Sequence, residues 1–117
     1  MENKLKQKNI LILGSGMMVE PLIDYMLLRP ENQITLGSNM IDSAKEISQR
    51  KPKDRCVPIE IDVVKDTDLL KRLVSECNIV ISYIPAFLHI NVAKICLELN
   101  RNLLTASYIS PELRNLK

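Results

Sequence analysis

The stretch from Asn9 to Pro21, NILILGSGMMVEP, holds the residue types whose spacing could do chemistry. A short apolar run meets a Gly-Ser-Gly turn, and a helix-compatible stretch follows. That order suits the pyrophosphate of a dinucleotide. Glycines permit a tight turn and close backbone approach, and the first N–H groups of a helix point outward at its positive dipole end. The chain has three glycines. Gly14 and Gly16 lie in this turn. Gly37 closes the next predicted strand, where the adenosine ribose of such a ligand would lie. The third fingerprint position is Val19 in place of Gly or Ala, which implies slightly wider helix–strand packing without blocking the phosphate path. A bare G-x-G also describes an ordinary strand–helix turn; the order of the surrounding elements favours the dinucleotide.

Four further places could take part. Asn39 follows the second predicted strand, where a carboxylate usually grips the ribose hydroxyls and repels a 2′-phosphate. Asparagine can bond to the hydroxyls without that repulsion, and no arginine replaces it, so NAD is favoured over NADP. The same residue could cap the helix that follows, and the two roles are compatible. Asp62 closes the third strand, where it could read an adenine amino group or serve as a capping or solvated carboxylate. His89, the one histidine, lies on the first turn of a helix beside the expected cleft, as a proton carrier or a satisfied structural residue. Ser107 and Tyr108 leave the fifth strand on the same sheet edge, where a substrate would approach or the chain would simply turn. No P-loop lysine, Gly-x-Ser-x-Gly elbow or metal-ligand cluster stands out.

The elements that must position these residues follow from periodicity. Short apolar runs at Asn9–Leu13, Gln33–Gly37, Cys56–Asp62, Asn78–Ser82 and Asn102–Ala106 read as strands, the first of them covered on both faces. Pro58 inside the third suggests an edge position. The first helix starts after the glycines with Met18, Leu22 and Met26 on one face and Ile23 and Leu27 beside them, takes Pro21 in its first turn and stops at Pro30. Met40–Arg50 carries Ile41, Ala44 and Ile47. Asp66–Cys77, capped by Asp66 or Thr67, carries Leu69, Leu70, Leu73 and Val74. Phe87–Asn100 carries Leu88, Val92, Ile95 and Leu99. Pro111 opens a last helix after Ser110. Alternating strands and helices with short links predict a doubly wound parallel α/β sheet of the Rossmann type, order 3-2-1-4-5, with helices on both faces. Residues 1–8 are a polar lead-in and 9–117 the binding domain, expected to be the first piece of a longer enzyme.

Bulk composition narrows the function class. The 117 residues are 46% hydrophobic and 26% charged, with a net charge of +2 and 3% aromatics. One domain with a real core is expected. No basic block or aromatic platform points to nucleic acid or an anionic membrane, and no apolar run approaches a membrane span. Cys56, Cys77 and Cys96 form no C-x-x-C pair and read as buried, reduced thiols in a reducing compartment.

Together ILGSGMMVEPLIDYM, ITLGSNM, IEIDV, NIVISYIPAFLHINVAKIC and LLTASYISPELRNL resemble the amino-terminal part of the glutamate-forming saccharopine dehydrogenase family. That family includes the dehydrogenase half of the bifunctional aminoadipic semialdehyde synthases. The resemblance implies oxidation of L-saccharopine at its secondary amine, with hydride passing to NAD or NADP and the imine hydrolysing to glutamate and aminoadipate semialdehyde in lysine metabolism. The cofactor positions it implies are Gly14, Ser15, Gly16, Met17 and Met18; Ser38, Asn39, Met40 and Ser43; Asp62 and Val63; Ile84 and Pro85; and Ala106, Ser107 and Tyr108. Ser107 and Tyr108 would also touch saccharopine. NADP-using members carry arginine where this chain has Asn39, and NAD-using bifunctional members carry aspartate in a similar G-S-D-M stretch. GSNM resembles the latter, so NAD is expected and NADP is the alternative. No catalytic acid or base carries over. The rest of the polypeptide is the implied partner, with fusion to a lysine-ketoglutarate reductase and homo-oligomerisation both compatible. The expected compartment is cytoplasm, or the mitochondrial matrix for a bifunctional eukaryotic enzyme. A non-catalytic dinucleotide-sensing module and a related reductase with another substrate are the rival readings.

Overall fold

A computed structural model describes residues 8–16, 19–52, 54–84 and 88–105, with the backbone alone for His89 and Thr105. The elements run β1 (Lys8–Leu13), α1 (Val19–Met26), β2 (Asn32–Ser38), α2 (Ile41–Gln49), β3 (Cys56–Glu60), α3 (Thr67–Glu76), β4 (Ile79–Ser82), α4 (His89–Glu98) and β5 (Asn102–Thr105). All pairings are parallel, and the five strands lie in the order β3-β2-β1-β4-β5. The Rossmann-type α/β architecture expected from the alternation is therefore the one observed.

Central β1 is apolar on both faces because each face meets a helical layer. Leu11 and Leu13 pack with α3 and α4 through Leu70, Leu73, Val74, Val92 and Ile95. Ile10 and Ile12 pack with α1 and α2 through Val19, Ile23, Ala44 and Ile47. Successive strand residues point to opposite faces, so one four-residue run serves two cores. Cys56, Cys77 and Cys96 are free and buried. Burial raises all three thiols, Cys96 to about 11.

Pro58 sits in edge strand β3, as its missing N–H requires. The first helix departs from expectation. It ends at Met26, four residues before Pro30; Val19 and Ile23 are its buried residues, and Leu22, Met26 and Leu27 of the expected face pack against the same core. Its terminal carbonyls are met by side chains from elsewhere: Asn32 Nδ2 donates to Met26 O at 2.8 Å, and Arg55 Nη2 reaches Leu27 O at 3.4 Å and Arg29 O at 2.9 Å. Between Met26 and Pro30 the chain tightens into turns, with Leu28 N–H donating to Tyr25 O at 3.2 Å and Arg29 N–H to Met26 O at 3.3 Å. Met18, one of the three face residues, lies outside the described residues, as do Phe87 and the last predicted helix.

The two helical layers are braced by different groups. Across α1 and α2, Arg50 holds both Glu20 oxygens at 2.7 and 3.0 Å, and Lys51 Nζ reaches Glu20 at 2.7 Å and Asp24 at 2.6 Å. Hydrogen bonds from Arg50 and then Lys51 pull the Glu20 carboxyl down to about 2. Across α3 and α4, Lys71 and Glu98 stand 3.9 Å apart.

Candidate dinucleotide site

Register sets the site. Leu13 pairs with Gly37 on one side and Ser82 on the other, so β1 and β4 release their chains at one level and β2 one residue later. From β1 the chain winds to β2 and β3 on one side and to β4 and β5 on the other. The crevice outside such a reversal is where open α/β sheets bind ligands. A cleft of about 200 Å³ lies there, lined by Leu13, Gly14, Ser15, Gly37, Ser38, Asn39, Met40, Ile61, Asp62, Val63, Tyr83, Ile84 and Leu88. A second groove, lined by Ser15, Gly16, Glu20, Ser43, Glu46, Ile47 and Arg50, adjoins it through Ser15.

The three glycines do three different jobs. Gly14 has φ +112°, and a Cβ there would stand 3.1 Å from Tyr83 Cβ; its N–H donates to Gly37 O at 2.8 Å. Gly37 lies inside β2, one residue before its end, where a Cβ would press on Ile61 and Leu13 at 3.0 and 3.1 Å. It serves packing as well as lining the cleft, which corrects its placement as the strand's closing residue. Gly16 is exposed, and a Cβ there would meet nothing within 4 Å. The empty space above Gly16 is where a ligand backbone could come close.

At the β2 exit, Ser38 is buried, and its Oγ lies 2.8 Å from Ser15 Oγ and accepts the Met40 N–H at 2.9 Å. Helix α2 takes Met40 as its N-cap position and has no side-chain cap. The capping reading of Asn39 is thus overturned: the helix begins one residue later than it requires, and Ser38 captures the nearby amide. Asn39 is exposed on the cleft lining.

Asp62 stands two residues past β3, since the strand ends at Glu60. Its Oδ1 accepts the N–H of Val64 at 2.9 Å and of Lys65 at 3.1 Å, and these bonds hold its carboxyl below the usual range. It is a turn-forming aspartate that also lines the cleft. Asp66 occupies the N-cap position of α3 without a cap bond from its side chain, because its Oδ2 accepts the Asp62 N–H at 2.8 Å. The carboxylate expected to cap the helix ties down the loop instead.

The cleft therefore gathers Gly14, Ser15, Ser38, Asn39, Met40, Asp62, Val63 and Ile84 from the expected set, while Gly16 and Ser43 line the adjoining groove. Met17, Met18, Pro85, Ala106, Ser107 and Tyr108 lie outside the described residues. His89 opens α4. Sequence reasoning missed Tyr83, Leu88 and Ile61 as lining residues. Tyr83 had a visible signal, since it leaves β4 at the same edge and directly opposite the glycine turn. Among the described residues no group of acidic, cysteine or histidine side chains could hold a metal ion, and no helix is long and apolar enough to cross a membrane.

A parallel sheet with a glycine turn, a ribose-level loop and a cleft at its reversal point defines a dinucleotide-binding Rossmann unit. The family model described as the saccharopine dehydrogenase NADP binding domain matches residues 10–117. Mitochondrial alpha-aminoadipic semialdehyde synthase from Bos taurus is 39% identical over 111 residues, covering 95% of this chain and 12% of that protein. The NADP(+), L-glutamate-forming saccharopine dehydrogenase of Saccharomyces cerevisiae is 34% identical, covering 94% of this chain and 24% of that protein. The solved structure of the L-Glu-forming saccharopine dehydrogenase from Saccharomyces cerevisiae superposes with a TM-score of 0.77 at 32% identity, over 94% of this chain and 24% of that one. This chain belongs to the saccharopine dehydrogenase family, and it spans a quarter or less of these relatives' length.

Proposed function

We propose that this chain is the NAD-binding domain of a glutamate-forming saccharopine dehydrogenase. One observation carries the reading: the glycine turn, the 38–40 loop and the Asp62–Val63 loop, far apart in sequence, line one cleft at the point where the strand order reverses. The residues suit a dinucleotide. Gly16 leaves room for a pyrophosphate, Asn39 is exposed to bond ribose hydroxyls, and Ile61, Val63 and Ile84 offer apolar surface to flat rings.

The preference for NAD over NADP rests on charge. A 2′-phosphate needs a cation close to the ribose. Asn39 supplies none, and Arg50, the arginine lining the adjoining groove, is held by both oxygens of Glu20, with Glu46 beside it. The yeast relative is named for NADP(+), so this chain's own side chains support the opposite choice from that name.

When bound, the nicotinamide accepts the hydride released in oxidising the secondary amine of saccharopine. The chain's part would be to hold and orient it, with Gly14–Met18 for the pyrophosphate, Ser38–Met40 and Ser43 for the ribose, Asp62 and Val63 for the adenine, and Ile84 and Pro85 for the nicotinamide side. By the family resemblance, Ala106, Ser107 and Tyr108 would contribute at the reacting end, the last two also to saccharopine. The chain spans a quarter or less of these relatives' length, so these 117 residues should bind cofactor without turning over saccharopine.

Calorimetric titration with NAD and then NADP tests the reading. NAD should bind more tightly, and Asn39→Arg should shift the preference towards NADP. Equal or tighter NADP binding by the unaltered protein overturns the choice of NAD. Binding of neither, or saccharopine turnover by these residues alone, overturns the domain assignment.

A further inference from the structure

Ser38 closes β2 with 5% of its surface exposed. Its Oγ accepts the Met40 N–H at 2.9 Å and stands 2.8 Å from Ser15 Oγ. A serine hydroxyl has one proton to donate, and a buried one left without an acceptor is costly. Among the described residues the acceptor in reach of that proton is Ser15 Oγ. Distance alone lets either hydroxyl donate; the direction that gives the Ser38 proton an acceptor among the described residues is Met40 N–H to Ser38 Oγ, then Ser38 O–H to Ser15 Oγ. Ser15 keeps its own proton, and Ser15 lines both the cleft and the groove beside it. Each donation in such a chain strengthens the next O–H as a donor.

We propose that Ser38 is a positioning residue that turns the Ser15 hydroxyl into a donor aimed at the phosphate next to the adenosine ribose of a bound dinucleotide. The proposal rests on the dinucleotide reading above. In the reverse direction Ser15 would donate to Ser38 and turn only lone pairs towards the phosphate, which repels them. The bond also joins residues 23 apart in sequence, so the pyrophosphate turn and the ribose loop are held in one geometry before any ligand arrives. Orientation set in advance removes part of the ordering cost of binding.

A double-mutant cycle tests the relay, because a residue acting only through another has no effect once that other is removed. The readout is calorimetric affinity for whichever of NAD and NADP binds the unaltered protein more tightly. Ser15→Ala and Ser38→Ala should each weaken binding about tenfold, the scale of one charge-assisted hydrogen bond. The double variant should also lose about tenfold. Adenosine, which has no phosphate, should lose much less affinity than the dinucleotide in every variant. Losses that multiply to about a hundredfold in the double variant would overturn the proposal, since Ser38 would then act independently through the Met40 amide. Unchanged affinity in Ser38→Ala, or an adenosine loss equal to the dinucleotide loss, overturns it too. Should Ser38→Ala fail to fold, Ser38→Cys, close in volume and a weak donor, takes its place in the cycle with the same expected pattern. If the unaltered protein binds neither dinucleotide, the domain assignment itself fails. That outcome is separate from an additive cycle in a protein that binds.

Discussion

Arg55, one residue before β3, and Arg101, one residue before β5, hold matching places in the two halves of the sheet. Arg55 donates to the carbonyls of Asn32, Arg29 and Leu27. Arg101 donates to those of Cys77, Ser75 and Leu99, the first two at 2.8 Å. Each guanidinium gathers carbonyls left over where a helix ends and a strand begins, which a planar five-donor fork does well. Beyond this shared device the halves diverge. The β1–β2–β3 half adds the Glu20–Arg50–Lys51–Asp24 brace and the Ser15–Ser38 bond. Across α3 and α4 the ion pair between Lys71 and Glu98 is a long one. Closing a half-sheet and building a binding loop are thus separate tasks, and only one half does both with hydrogen-bonded side chains among the described residues.

If the arginines are equivalent, Arg55→Ala and Arg101→Ala should destabilise the protein by similar amounts, about 2 kcal/mol each from orphaned carbonyls. Urea denaturation measures this, and a difference of more than about twofold between them breaks the equivalence. The next comparison lies inside the first half. Gly37→Ala should cost about 1 kcal/mol from overpacking against Ile61 and Leu13. Gly16→Ala should leave the melting temperature almost unchanged while weakening dinucleotide binding sharply, because its methyl would enter open space that a ligand needs. A Gly16→Ala protein that melts early and still binds would reverse the roles assigned to the two glycines.

The smallest effect concerns the brace. The Glu20 carboxyl is depressed from 4.5 to about 2 by its hydrogen bonds to Arg50 and Lys51. Its contribution is complete above pH 4.5 and is lost as pH falls towards 2. Glu20→Gln should therefore melt slightly below the unaltered protein at pH 6, and most of that gap should be gone at pH 2. A gap undiminished at pH 2 would mean the residue acts by packing.

Much of the first half was legible because its signals are local. Gly14 and Gly16 mark the turn, Ile10–Leu13 marks a strand covered on both faces, and Pro58 marks an edge. Strand order followed from short links between alternating elements. What was not legible depends on partners distant in sequence. Nothing near Arg55 or Arg101 shows which carbonyls they will collect. Ser15 and Ser38 are unremarkable until β1 and β2 pair. Asn39 and Asp66 carry good capping chemistry, yet neighbouring groups, Ser38 and Asp62, changed which bonds were made. Local propensity proposes a cap, and competition among nearby donors decides it.

Pro58 has a consequence beyond its own strand. Ile34 N–H donates to Arg55 O and Ile61 N–H to Ser38 O, so residues 55 and 61 turn their backbone groups towards β2. With a period of two, residues 57 and 59 do the same, and Pro58 faces away. It therefore costs the native ladder nothing, and it withholds an amide from any strand of another molecule that tries to extend the sheet there. One missing hydrogen atom makes that flank a poor template for self-association.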